Sequence, residues 1–354
     1  MADKILMKGS HALAEAAVRA GCRCYFGYPI TPQNEVPEYM SGRMPEAGGV
    51  FLQGESETAS INMVIGASAS GTRVMTSSSS PGVSLKQEGL SFLSSLELPA
   101  VIVNIMRGGP GLGNIAPSQG DYYQATRGGG HGDYRMPVFA PASVQELYDL
   151  TMEAFDIADI YRTPALILGD GMVGQIVEPI VIHERAAIKL PDKDYILDGA
   201  KGRPSRILKS LILDPAKMEE HNWKLNRKYN LMKIKLPRHE EFMLEDAKLT
   251  IVAYGTAARI AKGAVKRARA DGLKVGLLRP ITLWPFPEEA VRKAAKKTKL
   301  FLDFELSTGQ MVDDVRLALD GRSKCEFYGR PGGVVPSPRE IQRIVERFWL
   351  QRNL

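Results

Sequence analysis

The chain has 354 residues, 44% hydrophobic and 24% charged, a balance typical of globular proteins and too long for one ordinary core, so two domains are expected. The formal charge of +6 admits anionic cofactors or an acidic partner, but no nucleic-acid module accompanies it, and nucleic-acid binding is set aside. Three cysteines (Cys22, Cys24 and Cys325) make no disulfide framework, and without a cluster of four this chain cannot hold an iron–sulfur centre alone.

The opening "MADKILMKGSHALAEAAVRAG" lacks an apolar h-region and no run reaches bilayer length, so no membrane contact and a cytoplasmic location are expected. "SHALAEAAVRAG" reads as a helix with Ser10 as N-cap and Gly21 just past its end. "CRCYFGYP" and "GVFLQGE" follow as strands, then "ETASINMVIGASASG" as a helix of small residues. "TRVMTSS" is a strand, "PGVSLKQEGLSFLSSLE" a helix and "LPAVIVNIMR" a fully apolar strand. After a Gly-rich loop come a long amphipathic helix, "SVQELYDLTMEAFDIADIYR", and the buried strand "PALILGD". Apolar strands alternating with helices predict a parallel sheet covered on both faces. This first domain spans 1–189, ending between Glu178 and Lys189. Residues 190–246 turn polar, basic and irregular, densest in cations toward Arg238 from Arg185, and read as a linker or insertion. From 247 to 354 the alternation resumes through "KLTIVAYG", "TAARIAKGAVKRARADG", "KVGLLRP", "FPEEAVRKAAKKT", "KLFLDFE", "KCEFYG" and "SPREIQRIVERFWLQ", a second, smaller α/β domain.

Several signatures are missing. There is no P-loop, "GGPGLG" misses the dinucleotide spacing, and the five histidines are too scattered for a metal site, so none is assigned. "LGDGMVGQ" opens like a diphosphate-binding thiamine motif, but the next asparagine, Asn222, is far too distant; it reads as a turn after a strand.

Three strand ends carry polar groups instead: "GYPITP", "QGESE" and "MRGGPGLGN". Ligands of open α/β sheets bind beyond the carboxyl ends of the strands, so the three should converge. Thr31 followed by Pro32 suits an N-cap and first helical residue, with the hydroxyl facing the crevice. Arg107 ends an apolar strand, where a guanidinium can grip a small carboxylate by two parallel bonds. Glu57 opens a helix of small residues, and an apolar surround makes it a partner for a protonatable ring nitrogen. Taken singly, the three read as a cap, a first-turn acid and a salt-bridge partner.

Through "YPITPQNEVPEYM", "GESETASINMVIGASASGTRVMTSSSSPGVSLKQEG", "IMRGGPGLGNIAPSQGDYYQATRGGGHGDYR" and "LGDGMVGQIVEP", nearly the whole chain resembles the 2-oxoacid:ferredoxin oxidoreductases. The likeness is to the subunit carrying their thiamine-diphosphate pyrimidine-binding domain, followed by a smaller transketolase C-terminal-like α/β domain. "SSSSPG", "MRGGPGLG" and "GGGHGDY" look closest to the branched-chain, 2-oxoisovalerate members. The resemblance implies oxidative decarboxylation of a 2-oxoacid to acyl-CoA and CO2, with electrons passing to ferredoxin. Glu57 then resembles the glutamate bonded to N1′ of the aminopyrimidine, with Tyr28 and Pro29 beside the cofactor; Thr31 and Arg107 resemble the pair gripping the substrate, and Ile30, Met106 and Leu112 are apolar lining for a branched side chain. It further implies that the Mg2+ and diphosphate site lies on a diphosphate-domain subunit and the iron–sulfur clusters on gamma-type and ferredoxin-like subunits. "GGGHGDYR" shapes the site wall or a partner contact, with His131 as an acid/base candidate, while Glu305 and Gln310 are weaker site candidates. The alternatives are a 2-oxoglutarate enzyme, with Arg127 or Arg135 as the extra cation, a scaffold subunit that keeps the fold without chemistry, and a transketolase- or decarboxylase-type enzyme without ferredoxin.

Overall fold

The computed structural model describes residues 4–184 and 188–352. Seven strands form the larger sheet, in the order Thr282–Trp284, Val138–Phe139, Pro164–Asp170, Ala100–Met106, Val74–Ser78, Cys24–Gly27 and Val50–Gln53. All neighbours run parallel except Thr282–Trp284, which pairs antiparallel with Val138–Phe139. The central strands Ala100–Met106 and Pro164–Asp170 are buried along their whole length, as expected for a sheet covered on both faces. Five strands form the second sheet: Lys324–Gly329, Leu300–Glu305, Leu249–Val252 and Val275–Pro280 in parallel, closed by His239–Phe242 antiparallel to Val275–Pro280. A ribbon of Lys4–Lys8 and Val177–Val181 stands apart.

The two sheets exchange strands. His239–Phe242 comes from the stretch read as a linker and completes the second sheet, while Thr282–Trp284 leaves the second half of the chain to extend the first. The buried salt bridge of Arg279 adds a tie: its guanidinium takes Glu146 on the Val144–Tyr161 helix in bidentate fashion, at 2.6 and 2.8 Å, and Glu240 at 2.8 Å. Such a pair is tolerated inside a protein only when every charge is matched.

The structure departs from the sequence reading at definite points. Ser10 lies inside the Gly9–Arg19 helix rather than capping it, and donates its hydroxyl to the Gly174 carbonyl at 3.0 Å. Thr31 and Pro32 form a turn, not a helix start; the helix there is Glu35–Glu46 with Asn34 at its N-cap position. Pro37 fits in its first turn because the amide it lacks has no intrahelical partner there. "PGVSLKQEGLSFLSSLE" breaks into Pro81–Ser84 and Gln87–Ser95. The largest departure is Pro215–Lys235, a helix of 21 residues where irregular chain was expected. Asp214 caps it by accepting from the Ala216 amide, Pro215 holds the first position, and Leu225, Tyr229 and Met232 pack into the core. Arg185, the start of the cation-rich stretch, and the middle of the expected boundary at 178–189 lie outside the described residues.

Candidate active site

The strand order of the larger sheet reverses at Cys24–Gly27: the chain steps outward to Val50–Gln53, then returns on the other side at Val74–Ser78. A crevice opens beyond the carboxyl ends of strands at such a switch point. Residues 28–32, 54–57 and 79–80 all follow their strands there.

The first of these is a pinned turn. Gln33 donates its amide to the Ile30 carbonyl at 3.1 Å, and its buried side chain donates to the Tyr28 carbonyl and accepts from Ser77 Oγ, which also bonds the Tyr25 hydroxyl at 2.6 Å. Gln175 holds the far side through the Pro32 carbonyl at 2.9 Å. Tyr28 and Ile30 are half-buried and Pro29 is exposed. Thr31 keeps a half-exposed hydroxyl whose described partner is Asn34 Nδ2 at 3.3 Å, on the wall of a cavity of about 400 Å3 shared with Ile115, Pro117 and Gly171.

Arg107 is brought directly to this turn. Its Nη1 donates to the Thr31 carbonyl at 2.9 Å and its Nη2 to the Leu112 carbonyl at 2.8 Å. The residue is 6% exposed, and among the described residues its Nε has no hydrogen-bond partner and no carboxylate pairs with the guanidinium. Burying an N–H donor unpaired costs about 1–3 kcal/mol, so this arginine is incompletely satisfied. The following loop, which begins with Gly108 and Gly109, folds back on itself: the Asn114 amide bonds the Gly108 carbonyl at 2.8 Å. Gly113, at φ +62°, permits that approach, since a Cβ there would stand 1.7 Å from the Gly108 oxygen.

Glu57 is the first residue of the Glu57–Ala69 helix, capped by Ser56, and is 5% exposed. Its carboxylate makes no hydrogen bond among the described residues. Gly82 forms its floor: a Cβ at that position would come within 2.4 Å of Glu57 Oε1 and 2.2 Å of Ser78 Oγ. Nearby lies Lys86, fully buried, with its ammonium donating to Thr76 Oγ1 at 2.6 Å and to the Ser77 carbonyl at 3.0 Å. Burial pulls its pKa down to about 7, and the charge of Glu57 acts in the opposite sense. The buried, unpaired carboxylate and its glycine floor fit a flat heterocycle presenting a ring nitrogen.

Other expected residues lie elsewhere or are already engaged. Met106 belongs to the core, Leu112 stands at an exposed loop tip, 79% exposed, and only Ile30 stays on the lip. His131 is exposed. Glu305 is saturated by the Gln310 and Val312 amides and the Ser307 hydroxyl, while Gln310 binds the Tyr123 amide and the Gly120 carbonyl. Arg127 is paired with Asp314, and with Arg135 it lines a separate cavity of about 710 Å3. Asp170 of the "GDG" turn caps Gly171–Gln175 and accepts from Thr256 at 2.8 Å. No group of three metal-ligating side chains occurs among the described residues, and no helix among them is long and apolar enough to cross a membrane. The sequence reading missed Gln33, Ser80, Lys86 and Asp121. The run "SSSSPG" at a strand end was a usable signal for Ser80, whereas a lysine on a helix reads as exposed by default.

Two family models match: the thiamine-diphosphate-binding region of pyruvate flavodoxin/ferredoxin oxidoreductases over residues 15–242, and core domain II of pyruvate:ferredoxin oxidoreductase over 247–341. The chain is 51% identical to the ketoisovalerate oxidoreductase subunit VorB of Methanothermobacter marburgensis, covering 98% of this chain and 99% of that one. It is 37% identical to the 2-oxoglutarate synthase subunit KorA of Methanothermobacter thermautotrophicus, covering 98% and 99%. Among solved structures it matches 2-oxoglutarate:ferredoxin oxidoreductase from Magnetococcus marinus, bound to 2-oxoglutarate, coenzyme A and succinyl-CoA, with a TM-score of 0.87 and 28% identity. That match covers 98% of this chain and 65% of the solved one. A split-gene transketolase, with a TM-score of 0.59 and 15% identity, covering 96% and 97%, shares the fold alone. The architecture is therefore a thiamine-diphosphate pyrimidine-type α/β domain followed by a smaller α/β domain.

Proposed function

The chain belongs to the 2-oxoacid:ferredoxin oxidoreductase family, and from that premise we propose that it is the subunit that oxidatively decarboxylates 2-oxoisovalerate in a complex with partner chains. The observation that carries this reading is Arg107: a buried guanidinium at the switch-point crevice, touching the Thr31 turn, with one donor unpaired and no carboxylate of its own. A substrate carboxylate would replace two neutral carbonyls by a charge-assisted bidentate pair, a stronger interaction. The Thr31 hydroxyl is placed to donate to the neighbouring keto oxygen.

Glu57 would hold the aminopyrimidine ring of thiamine diphosphate through one ring nitrogen, beside Tyr28 and Pro29. When bound, that cofactor supplies a centre that accepts the electrons released on decarboxylation. The rest is the work of side chains: the Glu57 carboxylate would share a proton with the ring nitrogen, the floor at Gly82 would leave room for it, and the pinned turn keeps Thr31 in place. Ile30 on the lip and Ile115 on the wall of the Thr31 cavity suit a branched side chain better than a second carboxylate, and the stronger identity to the ketoisovalerate subunit supports the same choice. Arg127 and Arg135, the cations a 2-oxoglutarate enzyme would need, share no hydrogen bond or cavity wall with Thr31 or Arg107.

The Mg2+ and diphosphate site is assigned to a diphosphate-domain subunit, since Asp170 is used as a helix cap, and the iron–sulfur clusters to gamma-type and ferredoxin-like subunits. Coenzyme A takes the acyl group and ferredoxin the electrons. The free cysteines suit a reducing, cytoplasmic setting. The division at residues 189 and 246 is proposed on the same footing, supported by a larger sheet drawn mostly from residues before 189 and a smaller one drawn mostly from residues after 246, each taking one strand from outside those bounds.

The test is anaerobic purification of the tagged complex and assay of CoA-dependent viologen reduction with 2-oxoisovalerate, pyruvate and 2-oxoglutarate. Preference for 2-oxoisovalerate is expected. Preference for 2-oxoglutarate would overturn the substrate choice, and no reduction by an intact complex would overturn the reaction itself.

A further inference from the structure

Ser80 has a backbone conformation that L-residues rarely adopt, φ +32° and ψ −89°, at the junction of the Val74–Ser78 strand and the Pro81–Ser84 turn of helix. Such a residue is strained and persists only where its surroundings over-determine it. Glycine would relieve the strain, yet a serine occupies the position, and its side chain is fully used. The Ser80 amide donates to Asn104 Oδ1 at 2.9 Å, and its hydroxyl donates to Asp121 Oδ2 at 2.6 Å. Asn104 Nδ2 donates to that same Asp121 oxygen at 2.9 Å. The Arg107 amide in turn donates to Ser80 Oγ at 3.0 Å.

The unit stands between the two groups assigned to chemistry. On one side it holds the backbone of Arg107; on the other, two residues along the chain, lies Gly82, the floor of Glu57. We propose that Ser80, Asn104 and Asp121 form a positioning unit that fixes the substrate-carboxylate arginine, Arg107, relative to the cofactor-facing Glu57. The inference rests on the reading of Arg107 given above. Asp121 and Ser80 also border a cavity of about 690 Å3 between the two sheets, with Gly108, Ser118 and Gln310, so the unit is reached from the cleft side. Burial pushes the Asp121 carboxyl upward, consistent with an acceptor held away from bulk water.

Four variants of the assembled complex test this, each read by KM, kcat, retained thiamine diphosphate and thermal midpoint. Ser80→Gly is expected to keep or raise the midpoint, retain cofactor, and raise KM for the 2-oxoacid on the order of tenfold, because a displaced catalytic group costs far more in rate than in stability. Asp121→Ala should do the same, while Asp121→Asn, whose amide oxygen can accept both bonds, stays within about threefold of the parent. Arg107→Met should raise KM by itself, and adding Ser80→Gly should then cost little more, the signature of two residues acting through one contact. A normal KM in Ser80→Gly beside a raised one in Arg107→Met would remove the positioning unit and leave the reading of Arg107 standing. A normal KM in Arg107→Met would remove both. Asp121→Asn as impaired as Asp121→Ala would mean the carboxylate acts by its charge, also contrary to the proposal.

Discussion

Each sheet unit places a glutamate and an arginine in its interior, and the two pairs are treated in opposite ways. In the five-stranded unit, Glu305 accepts from two backbone amides and a hydroxyl, and Arg279 is matched by two carboxylates. At the crevice of the seven-stranded sheet, Glu57 and Arg107 are comparably buried, yet the glutamate has no hydrogen-bond partner and the arginine has carbonyls and one idle donor. Burial is therefore not what marks the site. Nor is a single idle group, since Asp303 of the second sheet is fully buried with both carboxylate oxygens unpartnered among the described residues. What marks the site is an incompletely satisfied glutamate and arginine at the carboxyl edge of one sheet.

The sharpest way to break the comparison is to neutralise the two glutamates. Glu57→Gln should leave the complex assembled and lower turnover by on the order of 10²–10⁴-fold, the range for losing a proton-sharing group. Glu305→Gln should instead lower stability by about 1–3 kcal/mol, through loss of a charge that gathers three donors, with turnover per intact complex unchanged. Size-exclusion chromatography followed by viologen-reduction assays separates the two. Turnover lost in Glu305→Gln and kept in Glu57→Gln, both assembled, would invert the assignment.

The arginines give the next largest contrast, this time in stability. Arg279→Met leaves Glu146 with only the Ala142 amide and Glu240 with Lys262, and should cost about 3 kcal/mol, since removing one member of a buried pair leaves the other undercompensated. Arg107→Met strands no carboxylate, releasing only the Thr31 carbonyl on the half-buried lip and the Leu112 carbonyl at an exposed loop tip, so a loss of about 1 kcal/mol is expected. Thermal or denaturant unfolding of both variants checks this, and equal losses would show that Arg107 is as structural as Arg279.

Much of this was legible from residue patterns. Long apolar strands such as "PAVIVNIM" and "PALILGD" identified the parallel sheet, and the polar strand ends singled out Thr31 and Arg107, which are in contact, and Glu57, which follows another strand of that sheet. What escaped depends on contacts distant in sequence. Residues 215–235 looked irregular because their cations masked the i, i+4, i+7 spacing of Leu225, Tyr229 and Met232, although Asp214–Pro215 is a helix-start signal. The strand exchange of Thr282–Trp284 has no local signature, since three residues can belong to either sheet. Thr31 was misread as a cap because Thr-Pro suits a helix start as readily as the turn it makes.

Lys86 tests the comparison at its finest grain, because it is a second cation, beside Arg107, that the crevice buries without a carboxylate hydrogen bond among the described residues. Its partners are a hydroxyl and a carbonyl, and its folded pKa falls from the ordinary 10.5 to about 7. Below about pH 7 both folded and unfolded chains carry the proton, and the full penalty of a buried ammonium weighs on the fold. Between about pH 7 and the unfolded value the unfolded chain binds more protons, so stability contributed at this site rises with pH. Lys86→Met removes the titration while keeping most of the volume. The stability of the methionine variant relative to the parent should therefore be greatest near pH 6 and decline on raising the pH, by on the order of 2 kcal/mol between pH 7 and pH 9. Denaturant unfolding of parent and variant across that range measures the difference directly. A pH-independent difference would mean that Lys86 keeps its charge in the fold, with Glu57 as its true counter-ion, and the glutamate of the crevice would then be as fully partnered as Glu305.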